Sequence, residues 1–288
     1  MALPLLKKLN ANQAKTEMTF IDHLEVLRWH IVRAVLVVLV FAIAVGINID
    51  WFFDNIIYGP LREDFVSYRA LCDFGRWLHL GDVFCMQSPN VQMISTKFSS
   101  QFIGAFAIAL MGGFICAFPY ILWEVWRFIK PALNPKEIKI ARNSIFWITL
   151  FFLTGISFGY FILAPFTFSF LSNFQLGTLN AIRPSPTFDD YIDNMMNILL
   201  GTSISFELPV FSYVLTKIGL ISPTLLRNYR KYALVIILIV AAIITPSPDI
   251  TSQMLVTLPL WMLYELSIFI SYRVQRDEDK RREAFFKS

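Results

Sequence analysis

Charge is almost absent from six stretches of this chain, five of them about twenty residues or longer, and that spacing constrains the fold more than any other feature. Crossing the hydrocarbon of a bilayer takes about 20 mostly apolar residues in a helix. The stretches lie at about 29–49, 97–123, 142–165, 191–216, 230–245 and 250–272. The chain as a whole is 56% apolar and 16% charged, against about 25% charged residues in soluble domains. A bilayer lets helices keep apolar side chains outward as well as inward. The expected class is therefore an all-α polytopic membrane protein with six transmembrane helices. A disordered chain, a disulfide-rich secreted domain, collagen and an ordinary cytosolic enzyme are excluded.

Orientation follows from the basic residues. With the N-terminus inside, 20 of the 25 Lys and Arg fall in inner connections or tails, and five (Arg62, Arg69, Arg76, Lys97, Arg183) fall outside. By the positive-inside rule this places both termini in the cytoplasm. The expected organisation is a cytoplasmic N-terminus at 1–28 with an amphipathic lead-in helix, a six-helix transmembrane domain at 29–272, and a cytoplasmic tail at 273–288. Lys7 and Lys8 precede neither an apolar run nor a small-residue cleavage site, so the N-terminus reads as retained. Two periplasmic loops, 50–97 and 166–190, are long. Pro165 is expected to break or kink the third span. The fifth span has few residues before Thr245-Pro246-Ser247-Pro248. It forms a hairpin with the sixth and either recruits residues from Arg230 onward or leaves the bilayer locally thinned.

Few side chains suggest chemistry. Glu207 falls about ten residues, hence roughly 15 Å, from the inner end of the fourth span, near mid-bilayer. A carboxylate there costs at least about 2.5 kcal/mol on insertion scales. It is either a neutral glutamate bonded between helices or part of a binding or water-admitting site, and Pro209 nearby predicts a bend. Glu265, close to the inner end of the sixth span, reads as an inter-helix hydrogen bond. Thr245 and Gln253 near the outer ends are either glue for another helix or simply wet. Cys72 and Cys85 share the first outer loop, where an oxidising periplasm permits a disulfide but spacing alone leaves two free thiols open. The histidines (His23, His30, His79) show no ligand spacing, and no nucleophile–base pair is visible. No metal, cofactor, catalytic residue or nucleic-acid partner is expected.

The inner face carries acids among its bases. Thr19 to Asp22 fits a capping box opening a helix in which Phe20, Leu24, Leu27 and Ile31 share a face, and Asp22 and Glu25 sit three apart. Glu124 and Glu137 lie among the aromatics and bases of the run WEVWRFIKPALNPKEIK. Together these acids form either an anionic patch for a basic peptide or weak surface pairs with neighbouring Lys and Arg.

These residues resemble a known family. Phe20-Ile21-Asp22-His23-Leu24-Glu25-Val26-Leu27-Arg28, Phe118-Pro119-Tyr120, Trp126-Arg127-Phe128-Ile129-Lys130-Pro131-Ala132-Leu133 with Glu137, Phe158-Gly159-Tyr160-Phe161 with Pro165, Ser205-Phe206-Glu207-Leu208-Pro209-Val210, and Thr245-Pro246-Ser247-Pro248-Asp249 with Ser252-Gln253 and Leu263-Tyr264-Glu265 look in order like TatC. TatC is the multispanning receptor subunit of the twin-arginine protein translocase. The resemblance implies an inner-membrane, non-enzymatic translocase that uses the proton motive force to export folded proteins with twin-arginine signal peptides. It also implies TatA-like and TatB-like single-span partners and self-association. Glu137 matches one of the family's two recognition glutamates. The other is the second glutamate of a His-Leu-Glu-Glu-Leu-Arg pattern, whose place Val26 takes here, so Glu25 is the candidate substitute, helped by Asp22 or Glu124, with Phe128 alongside. By resemblance, Glu207 lies in a concave membrane-facing cavity, and Thr245 and Gln253 belong to a polar site for partner helices. The rival is a proton-coupled small-solute transporter built on Glu207.

Overall fold

The computed structural model describes residues 20–77, 79, 85, 88–89, 93–130, 135–173, 185–245 and 250–287. Its helices are α1 (Phe20–Ile47), α2 (Val66–Trp77), α3 (Ser100–Ile129), α4 (Pro135–Phe158), α5 (Ala164–Asn173), α6 (Phe188–Phe206), α7 (Leu208–Lys217), α8 (Pro223–Asn228), α9 (Arg230–Ile244) and α10 (Ile250–Lys287). Among the described residues no strand forms beyond one isolated bridge, between Ile94 and Thr187. Five helical segments are long and apolar enough to cross a membrane: 24–47, 100–129, 145–173, 188–217 and 252–277. The sixth stretch is α9, whose 15 residues reach about 22 Å. The chain is an all-α, multi-pass membrane protein.

Exposed side chains show what surrounds it. Val35, Leu39 and Ile43 on α1, Phe102, Phe106 and Leu110 on α3, and Met254, Leu258 and Met262 on α10 are all exposed, each set at four-residue spacing, which is one helix face. In water such stripes are an aggregation hazard; in lipid they cost nothing.

Helix α1 runs antiparallel to α3. A Cβ on Gly113 of α3 would lie 2.6 Å from the Ala42 backbone nitrogen and 2.8 Å from the Val38 carbonyl oxygen. Only glycine lets the two backbones come so close, the usual way helices associate in lipid. The core proper lies between α6, α9 and α10, around Met195, Ile198, Leu199, Ala241, Ile244, Val256 and Leu260. Gly155 of α4 gives α6 a similarly close passage, where a Cβ would stand 2.6 Å from Ser203 Cα. Thr216 and Ser271 share a 2.7 Å hydrogen bond that joins α7 to α10.

Several boundaries differ from the expected ones, for identifiable reasons. The lead-in helix and first span are one helix, because nothing between Phe20 and Ile47 breaks it. Pro165 does not end its helix. A π-helical stretch at Gly159–Leu163 precedes it, and Pro165 follows as the second residue of α5, so the wider turn takes up the proline within a continuing helix. Pro209 stands in the same position of α7, two residues beyond the break at Glu207 that separates α6 from α7. The tail from 273 onward continues α10 as helix to Lys287.

The end opposite to the start of α1 is closed by the segment 49–77. Turns of π and 3-10 form at Phe53–Ile57 and Gly59–Leu61 leave carbonyls without helical donors. Three tyrosine hydroxyls bond there: Tyr160 to the Ile56 carbonyl at 2.7 Å, Tyr191 to that of Ile57 at 2.5 Å, and Tyr68 to that of Pro60 at 2.6 Å. Burial pushes the Tyr68 hydroxyl far above the usual tyrosine range. Cys72 and Cys85 are disulfide-bonded, with Cα atoms 4.2 Å apart. At the same end Thr187 caps α6 by accepting from the Asp190 amide at 3.2 Å, and Asp189 accepts from Ser100 at the start of α3 at 2.8 Å.

Candidate functional site

The start of α1, the end of α3 and the start of α4 converge at one end of the molecule. The connection from α3 to α4 spans only Lys130 to Asn134, so Glu137, the third residue of α4, must return to the end that α3 has just reached. Contacts along the α1–α3 pair fix their register: Gly46 faces Ala109, Ala42 faces Gly113, and His30 faces Glu124. Continued by about one turn, the same register sets Val26 level with Phe128 and Ile129, and Glu25 level with Ile129 and Lys130. Glu25 and Val26 are both exposed. The side chains of Asp22 and Glu137 lie outside the described residues; their backbones occupy the first turns of α1 and α4.

Glu124 is placed differently. It is 1% exposed, one turn below the surface of this end, and both its oxygens have internal partners. Oε1 accepts from the Tyr120 hydroxyl at 2.8 Å and from Arg127 Nη1 at 3.5 Å. Oε2 is hydrogen-bonded to His30 Nδ1 and lies 3.7 Å from Arg33 Nη1. The two arginines are 51% and 41% exposed. The His30 ring also meets Phe128 edge-on, centroids 6.0 Å apart. Glu124 thus ties α1 to α3 from within, whereas Glu25 is an acid set at the surface. Tyr120 was legible as a partner of Glu124, being one helical turn away. His30 was not, because 94 positions separate the pair.

The residues within the later spans make contacts of their own. Glu207 is the pivot between α6 and α7: its amide donates to the Ile204 carbonyl at 3.1 Å, and its own carbonyl accepts from Val210 and Phe211 at 3.0 Å. The side chain is 5% exposed, and neither carboxyl oxygen has a hydrogen-bond partner among the described residues. Glu265 pairs with Arg230 at 2.6 Å, joining α10 to the start of α9. Thr245 is buried and donates to the Ala241 carbonyl at 2.9 Å. Gln253 donates to the Leu238 carbonyl at 3.1 Å, which stitches the α9–α10 hairpin together. The proline-rich turn at 246–249 is outside the described residues.

Comparisons with known proteins agree over nearly the full chain. The TatC family, described as Sec-independent protein translocase protein, matches residues 22–259. A Sec-independent protein translocase protein TatC of Blattabacterium sp. subsp. Periplaneta americana is 40% identical over 265 residues, 91% of this chain and 98% of that protein. The protein of the same name from Aquifex aeolicus is 31% identical over 268 residues, 93% of this chain and 100% of its own length. Among solved structures, the crystal structure of the twin arginine translocase receptor TatC superposes with a TM-score of 0.66 at 30% identity, covering 88% of this chain and 99% of that one.

Proposed function

The chain belongs to the TatC family of Sec-independent protein translocase proteins, and from that premise we propose that it binds twin-arginine signal peptides at the end where α1 begins. It is a membrane-embedded translocase subunit; its proposed ligand is the diarginine of a folded cargo's signal, and its proposed energy source is the proton motive force. The observation that carries this reading is the convergence of three acid-bearing helix turns on one end, where the register of α1 against α3 sets Glu25 and Val26 level with Phe128 and its neighbours. Glu137 is the principal acid, Glu25 stands in for the one Val26 lacks, Asp22 adds charge, and Phe128 supplies an apolar wall. Glu124 supports the site from beneath.

The chemistry fits. A guanidinium at about 4 Å from a carboxylate gains up to about 4 kcal/mol at an effective dielectric of 20. Paired, bidentate geometry selects arginine over lysine. The 20 Lys and Arg that fall in alternate connections and tails support a reading with this end, both termini and the extension of α10 in the cytoplasm of a bacterial inner membrane. The disulfide-bonded segment 49–77 then faces the periplasm, where disulfides persist. On the periplasmic side the apolar stripe of α10 beside Gln253 and Thr245 is the proposed seat of TatA-like and TatB-like single-span helices, and further copies of this chain are proposed to associate through the remaining lipid-facing surface. Glu207, whose carboxyl oxygens have no hydrogen-bond partner among the described residues, is the proposed polar point of the membrane-facing cavity.

Photocrosslinking from positions 25, 26 and 137 to a twin-arginine signal peptide tests the reading. Crosslinks that vanish when the peptide carries Lys-Lys are the expected result. A correctly inserted protein that crosslinks from none of the three positions would sink the proposal and favour solute transport through Glu207.

A further inference from the structure

We infer that Glu124 is a positioning residue that keeps the receptor's own Arg127 away from its ligand site; this rests on the signal-peptide reading above. A site that recognises a guanidinium by carboxylate pairing cannot distinguish the peptide's arginine from one on its own helices. Only tethering separates them. Continuing the α1–α3 register, Arg127 roots within about one turn, some 3 to 5 Å, of the height of Glu25. It is 51% exposed, so its side chain has room to swing, and an unheld arginine snorkels toward water and charge. A tethered competitor acts at an effective concentration in the millimolar range or above, enough to occupy the acids ahead of a dilute peptide.

Glu124 prevents this. Its carboxylate is 1% exposed and is aimed by two further bonds, from Tyr120 and His30, so it presents a fixed, desolvated anion 3.5 Å from Arg127 Nη1. Fields are stronger in such a site than at the wet surface around Glu25, and Arg127 is drawn down rather than up. Arg33 shares the same carboxylate at 3.7 Å, but lies eight residues, about 12 Å, from Glu25 along α1. It is out of reach, which gives the inference an internal control.

The test is equilibrium binding of a fluorescent twin-arginine signal peptide, with a Lys-Lys control, to the full chain purified in detergent. Glu124→Gln keeps the shape and the bonds to Tyr120 and His30 while removing the charge. We expect it to weaken binding about tenfold, equivalent to about 1.4 kcal/mol. Adding Arg127→Gln returns affinity to within about threefold of the parent, adding Arg33→Gln does not, and Arg127→Gln alone changes little. Unchanged binding in Glu124→Gln, a loss that Arg127→Gln fails to restore, or equal rescue by Arg33→Gln would each overturn the inference. Glu124→Asp, which draws the charge back while keeping it, is the milder variant and is expected to show a smaller loss with the same rescue. If neither Glu124 variant folds, with or without Arg127→Gln, the cluster is a requirement of the fold and the inference fails. A parent protein that binds both peptides equally overturns the receptor reading itself, a result independent of any Glu124 variant.

Discussion

Gly113 shows how little room single positions leave. Its missing Cβ is what lets α1 and α3 touch backbone to backbone, so Gly113→Val has to push two spans apart. Overpacking of this kind costs about 1–3 kcal/mol, and a clear fall in Tm of the detergent-solubilised protein is expected; no fall would show that the helices part freely. Gly112, which faces only the Val45 side chain at 3.2 Å, should tolerate alanine far better. Tyr68 offers a pH readout. Because burial raises its ionisation above the unfolded value near 10, its contribution is complete below about pH 10 and is lost as pH rises beyond that. Tyr68→Phe should remove about 1 kcal/mol from the segment it anchors and blunt the alkaline sensitivity of the parent, as followed by proteolysis of that segment across pH 8–11.

Helix α9 and the segment around Cys72 make predictions of a different kind. At about 22 Å, α9 is shorter than the hydrocarbon thickness, so spin labels at positions 234 and 243 should both be reached by a water-soluble relaxant in a bilayer of ordinary thickness; deep protection of either label would mean that the bilayer does not thin beside it. Replacing Cys72 and Cys85 by serine releases a closed loop whose cross-link is worth about 3 kcal/mol on the chain-entropy model. The expected result is faster proteolysis of 49–77 with the helical bundle intact. Helices were the most legible elements, since their apolar runs are long and their breaks are marked by Pro and charge. The π-helical turn before Pro165 was not, because a proline that usually ends a helix is accommodated here by a local change of helical pitch which only the surrounding contacts support.

The bundle joins these elements into a membrane subunit whose class and family resemblance could both be read from the amino-acid order. That order also showed which residues carry charge at one end. It did not show which of those charges are spent inside. Glu124 looked like its exposed neighbours until the approach of α1 to α3 brought His30 over it, a contact between distant positions that no spacing rule encodes. Orientation, argued from basic residues alone, has a direct check: single cysteines at Ser95 and Ser288 in a cysteine-free background should react with an impermeant maleimide from outside and only after lysis, respectively. Equal labelling of both from outside would overturn the assignment of sides.

One continuous helix of 38 residues, α10, is about 57 Å long and is stitched to α9 near its start by Gln253, again by Glu265, and to α7 by Ser271. A rod pinned at three heights is a mast and not a lever: a load applied beside Gln253 is shared with α9 and α7 before it reaches the far tip.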